Sequence, residues 1–191
     1  MNTLARAFAY CILALPSAFV WTASQEIAGS TGALAGILFV LLYVATLAIS
    51  ILVHELGHAC VGLANGWRLK YIAVFPLAYY PRTGKIRIWR SPSGDIGGAV
   101  SVASTPNNSP WRVAMFATGG PVASLAFAGV LLFVTSISPD KMLQNALGAF
   151  AVVSFLLGVG NLIPWRSRKG FRSDGMTLLQ IAMRAAFQKP V

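Results

Sequence analysis

Residues 47–64 read LAISILVHELGHACVGLA, and the fold turns on this stretch. Apart from Ser50, its polar residues are His54, Glu55 and His58. The apolar run starts well upstream, so the whole segment covers about 34–63. At ~1.5 Å rise per residue, a helix of that length exceeds the ~30 Å hydrocarbon core of a bilayer. It must tilt, kink or protrude at one end. The stretch therefore predicts a membrane-spanning helix that carries ionisable groups inside it. Such groups cost roughly 2.5–3.5 kcal/mol each on insertion scales and mark a functional site by default.

The spacing of those groups has a chemical meaning. On a helix, positions i and i+4 lie about 40° apart around the axis and ~6 Å along it. Two imidazoles so placed, His54 and His58, converge on one ion, and Glu55 on the neighbouring face reaches water beside it. H-E-x-x-H is the pattern of two zinc ligands and a general base. The chain has only two histidines, and both fall here; one of its five acids lies between them. The plainer reading is a histidine pair that packs helices, with Glu55 snorkelling to the surface. Asn65 lies about 16 Å beyond His54 along the axis, which makes that reach long.

The rest of the chain agrees with a bilayer solvent. Only 10% of its 191 residues are charged, against about a quarter in soluble domains. No charge falls between Glu26 and Glu55, between Arg112 and Asp140, or between Lys141 and Arg166. Spans are expected at about 4–22, 34–63, 113–136 and 142–164. The first is read as a retained helix with Arg6 at its start, against the alternative of a cleaved signal peptide. Placing the N-terminus, residues 65–112 and residues 165–191 in the cytoplasm puts every Lys and Arg except Lys141 on that side. This predicts a single multi-pass domain with both termini cytoplasmic, in a membrane of prokaryotic cytoplasmic type.

Between the second and third spans, residues 66–111 follow a different pattern. Lys85-Ile86-Arg87-Ile88-Trp89-Arg90 alternates polar and apolar, the strand period. A small antiparallel sheet at the cytoplasmic face is expected, followed by a mobile loop over SPSGDIGGAVSVASTPNNSP. An extended substrate held by addition to the strand at Ile86 and Ile88 is one use for such a sheet. The tail 175–188 is an amphipathic helix with Thr177, Gln180, Arg184 and Gln188 on its polar face. The fold class is thus an all-α membrane protein of about four helices with a small inserted sheet. Cys11 and Cys60 lie in apolar runs and read as buried small hydrophobes rather than a disulfide.

Catalytic zinc takes three protein ligands and keeps one position open. Elimination narrows the third. Glu26 and Asp140 fall on the opposite side by topology, and Asp95 lies in the expected loop. Cys60 is about 160° around the helix from His58, and Cys11 belongs to another helix. Asp174 follows the last span on the same side as the histidines. It is either the third ligand or the N-cap of the tail helix.

With HELGHA at 54–59, GGP at 119–121, and NLIP with DG at 161–164 and 174–175, the chain resembles the site-2 protease family of intramembrane zinc metalloproteases. The resemblance runs from the second span to the start of the tail helix. It implies a three-helix catalytic core with one zinc ion held by His54, His58 and Asp174. It also implies that Asn161 helps position the substrate or its oxyanion. Pro164 and Asp174 stand ten residues apart where the family pattern has about five, and Ser124 stands where an Asn is frequent. The expected partners are the lipid bilayer and a membrane-protein or peptide substrate. The expected reaction is hydrolysis of a peptide bond in or next to a transmembrane segment. The alternative is a catalytically silent scaffold of the same fold that binds membrane helices. The net charge of +10 does not signal nucleic acid, because no basic helix or aromatic-basic platform is present. A transporter would need polar residues along a path through the membrane, and these spans carry few.

Overall fold

The computed structural model describes residues 3–29, 31–90, 97–104, 109–166 and 172–187. Its elements are helices α1 (Thr3–Ala28) and α2 (Ala33–Ala64), strands β1 (Arg68–Val74), β2 (Leu77–Tyr80), β3 (Lys85–Ile88) and β4 (Gly98–Ala103), and helices α3 (Pro110–Ile137), α4 (Lys141–Leu162) and α5 (Asp174–Phe187).

Helix α2 contains no proline and no charge before Glu55, so nothing interrupts it over 32 residues. Its end is chemically defined. Gly66 takes φ +77°, a left-handed conformation that suits glycine. This lets Trp67 N–H donate to the Gly62 carbonyl at 2.9 Å and turns the chain into β1. Ser109 caps α3, its hydroxyl accepting from Arg112 N–H, with Pro110 in the first turn. The Asp140 carboxylate caps α4, accepting from the Met142 and Leu143 amides.

Among the described residues, α2, α3 and α4 are long and apolar enough to cross a membrane. The outward side chains of α2 are consistent with that: Leu34, Ile37, Val40, Leu41 and Val44 are all exposed. Such a surface is stable against lipid and not against water. The two cysteines differ from expectation, because Cys11 and Cys60 are both exposed. They face outward from their helices, where lipid meets a small apolar thiol as readily as protein does. Helix α1 covers the expected stretch of about 4–22 and is longer than it. It runs on to Ala28 and includes Glu26, whose carboxylate accepts from the Asn145 amide of α4.

The sheet is antiparallel in the order β3-β2-β1-β4. Trp89 closes one face over Ala73 and Ala78. Strand β4 lies inside the stretch read from sequence as a mobile loop. Gly, Ala and Ser carry little strand signal of their own, and pairing with β1 from Arg68↔Ala103 to Val74↔Gly98 supplies the order. Asp95 lies outside the described residues. β3, with Ile86 and Ile88 exposed, is the edge far from α2, whereas β4 is the edge beside it.

The short excursion between α4 and α5 explains how Asp174 returns to the bundle despite its distance from Pro164. Arg166 and Arg172 pair as an isolated antiparallel bridge. Ser173 N–H donates to the Trp165 carbonyl at 3.1 Å, and the Ser173 hydroxyl donates to the Ile163 carbonyl at 2.7 Å. The residues that flank the insert are thus held together, and α5 starts beside the end of α4. Gly175 sits against the Leu162 carbonyl in a space that a Cβ would fill.

Candidate metal centre

The centre forms where α2, α3 and α5 meet. Helices α2 and α3 cross at glycines, so their backbones come close: a Cβ added to Gly119 would lie 2.7 Å from the Gly57 carbonyl oxygen. This brings Gly120 against the histidine pair. A methyl group there would collide with His58 Nε2 and lie 2.6 Å from His54 Nε2. The Gly119-Gly120 pair is therefore a steric requirement of the site.

His54, His58 and Asp174 converge. His54 Nε2 and His58 Nε2 stand 3.3 Å apart. Asp174 Oδ2 stands 3.3 Å from each of them. Zinc bonds of ~2.0–2.2 Å in a tetrahedral site separate the ligand atoms by ~3.3–3.6 Å. The three observed separations match the edges of one such face. Two nitrogens and a carboxylate oxygen also form a common donor set for catalytic zinc. The residues fit the ion on distance and on chemistry.

Each imidazole is held from behind. His58 Nδ1 lies 2.6 Å from the Phe116 carbonyl oxygen, which can only accept. Nδ1 therefore carries the proton and leaves a lone pair on Nε2. His54 Nδ1 lies 3.0 Å from the Ser124 hydroxyl. Phe116 also stacks on His58, with Trp67 behind it, at centroid distances of 5.1 and 5.3 Å. This aromatic wall dries one side of the centre.

Asp174 occupies the first turn of α5, and the cap is its neighbour. Ser173 Oγ accepts from Met176 N–H at 3.1 Å, which releases the Asp174 carboxylate from capping. Among the described residues, His54, His58 and Asp174 form the group able to hold a metal ion, with ligand atoms within 4.8 Å of one another.

Glu55 is also buried, one residue along α2 from His54. Its carboxylate lies against β4, accepting from the Val100 backbone. A Cβ on Gly98 would lie 2.7 Å from Glu55 Oε1, so glycine is what admits the carboxylate there. Asn161 is half-buried near the end of α4, and its amide nitrogen donates to the Leu157 carbonyl at 3.1 Å. Sequence reasoning did not assign a role to Ser124 or the Phe116 carbonyl. The one available signal was Ser124 itself, a hydroxyl four residues beyond Gly120 on the same helix face.

An apolar helical bundle with an H-E-x-x-H helix and a converging aspartate defines a class, that of membrane proteins with a metallohydrolase-type centre. A family model described as Peptidase family M50 matches residues 42–139, just over half of the chain. The chain belongs to that family, the site-2 protease family of membrane zinc metalloproteases. It is also similar to a Synechocystis sp. protein named "Putative zinc metalloprotease sll0528", at 28% identity over 156 residues, 81% of this chain. The chain spans about a third of that relative's length (34%). No solved structure matches significantly.

Proposed function

We propose that this chain is a zinc-dependent endopeptidase that hydrolyses a peptide bond in or next to a transmembrane segment. The observation that carries this reading is the 3.3 Å triangle of His54, His58 and Asp174 with the Glu55 carboxylate beside it. Zinc held by that triangle supplies Lewis acidity, which acidifies water and polarises a carbonyl. Glu55 accepts the proton of the attacking water as its oxygen bonds to the scissile carbonyl carbon. It then delivers that proton to the amine as the C–N bond breaks. The aromatic wall and the surrounding helices keep the site dry, which strengthens these charge interactions. Asn161 is assigned to positioning the substrate or its oxyanion: one amide N–H donates to the Leu157 carbonyl, and the second N–H and the side-chain oxygen are the groups that would reach the substrate.

The substrate must unwind to expose a peptide bond, and a strand edge is a natural holder for it. The edge that suits is β4, which touches Glu55, and not β3 at the far side. Prolines at Ile86 and Ile88 are therefore expected to leave cleavage within about twofold, because edge positions tolerate them. A tenfold loss in a protein with wild-type helicity would return the substrate to β3.

The reading is tested by metal removal. Wild-type protein in detergent is incubated with a library of tagged transmembrane peptides. Cleavage is expected to stop after chelation and to return when zinc is added back. Peptide binding without cleavage in the zinc-loaded protein would leave a silent scaffold in place of an enzyme.

A further inference from the structure

The two histidines are fixed by different chemistry. His58 Nδ1 meets a backbone carbonyl, which no side-chain substitution at Phe116 removes. His54 Nδ1 meets the hydroxyl of Ser124, a replaceable side chain from a different helix. Ser124 is fully buried and His54 is 6% exposed, so water does not stand in for the hydroxyl. A hydroxyl also differs from a carbonyl in that it both accepts and donates. It holds the Nδ1–H tautomer of His54 when it accepts, with its own O–H turned elsewhere, whereas the Phe116 carbonyl can only accept.

We infer that Ser124 is the positioning residue of the metal centre: it accepts a hydrogen bond from His54 Nδ1–H and so aims the Nε2 lone pair at the point shared with His58 and Asp174. The inference rests on the proposed metal centre. Its physical basis is general. A ligating imidazole whose other nitrogen is hydrogen-bonded is fixed in tautomer and orientation and is more basic, and loss of that partner weakens metal binding by about 10–100-fold. Here the effect falls on His54 alone. The site thus has one ligand set by the backbone and one set by a side chain, and the second is the place where sequence tunes affinity.

A second buried serine provides the control. Ser154 is as fully buried as Ser124, but its hydroxyl donates to Ser50 at 3.0 Å and not to a histidine. Both alanine variants lose one hydroxyl from the helix packing, and Ser124→Ala also loses the partner of His54.

The experiment is zinc affinity by competition with a chromogenic chelator, for wild type, Ser124→Ala and Ser154→Ala in detergent. It is paired with 15N NMR of the imidazoles, which is tractable because the chain has only two histidines. The expected result is a dissociation constant raised about 10–100-fold in Ser124→Ala and within about twofold of wild type in Ser154→Ala. In the spectra, the His54 Nδ1 resonance moves in Ser124→Ala while that of His58 stays. Equal weakening in both variants, or affinity and His54 resonance unchanged in Ser124→Ala, overturns the inference. A wild type that binds no zinc overturns the metal centre itself, an outcome distinct from either.

Discussion

Wild-type protein purified in detergent is expected to carry about one zinc per chain, and His54→Ala, His58→Ala and Asp174→Ala are each expected to carry none. Three protein ligands are the minimum of a catalytic zinc site, so any one loss leaves two. The three positions are not equivalent in the fold. His54 and His58 share one helix, and two imidazoles at i and i+4 converge with no help from the rest of the chain. Asp174 arrives from α5 through the pinched excursion at Arg166–Arg172, so its place depends on tertiary structure. Its variant is therefore the sharper test. Cap loss is not a competing explanation, because Ser173 caps α5 and remains in Asp174→Ala. Metal analysis by mass spectrometry, with far-UV circular dichroism to check helicity, reads the result. Zinc retained in Asp174→Ala at wild-type stoichiometry would remove Asp174 from the ligand set.

The contrast between those positions also explains what was legible in the sequence. The histidine pair was readable because its geometry is set within five residues of one helix. Asp174 was readable by elimination, since a chain with five acids offers few candidates. The ten-residue gap after Pro164 obscured it, because a closed excursion and a displaced segment have the same length in sequence. β4 was missed for a different reason. Gly98–Ala103 has only Val100 and Val102 as strand formers and sits between Gly-, Ser- and Pro-rich flanks, and its strand state comes from β1, about 30 residues away. Ser124 bonds a residue 70 positions distant, and no local pattern encodes such a contact. The sheet order was likewise out of reach, because alternation marks a strand and not its neighbours. The buried reading of the cysteines failed because an apolar run in a membrane helix faces lipid and protein alike, and sequence does not separate the two.

Glu55→Gln is expected to lower peptide cleavage by about 10²–10⁴-fold while zinc content stays at the wild-type level. The carboxamide has nearly the carboxylate's shape, so it keeps the place beside Gly98 and still offers an oxygen to the Val100 N–H. What it loses is the capacity to take a proton from water. Glu55 stands apart from the triangle of ligand atoms, so the metal centre survives the change. Cleavage of a transmembrane peptide that the wild type cuts, followed alongside metal analysis on the same preparation, separates the two functions. Cleavage near the wild-type rate would show that another group handles the proton. Loss of zinc together with activity would make Glu55 a support of the metal instead of a base. The expected pattern, full zinc and little cleavage, leaves a protein that holds its substrate uncut. Capture of a peptide by that variant would then identify the segment that the wild type hydrolyses.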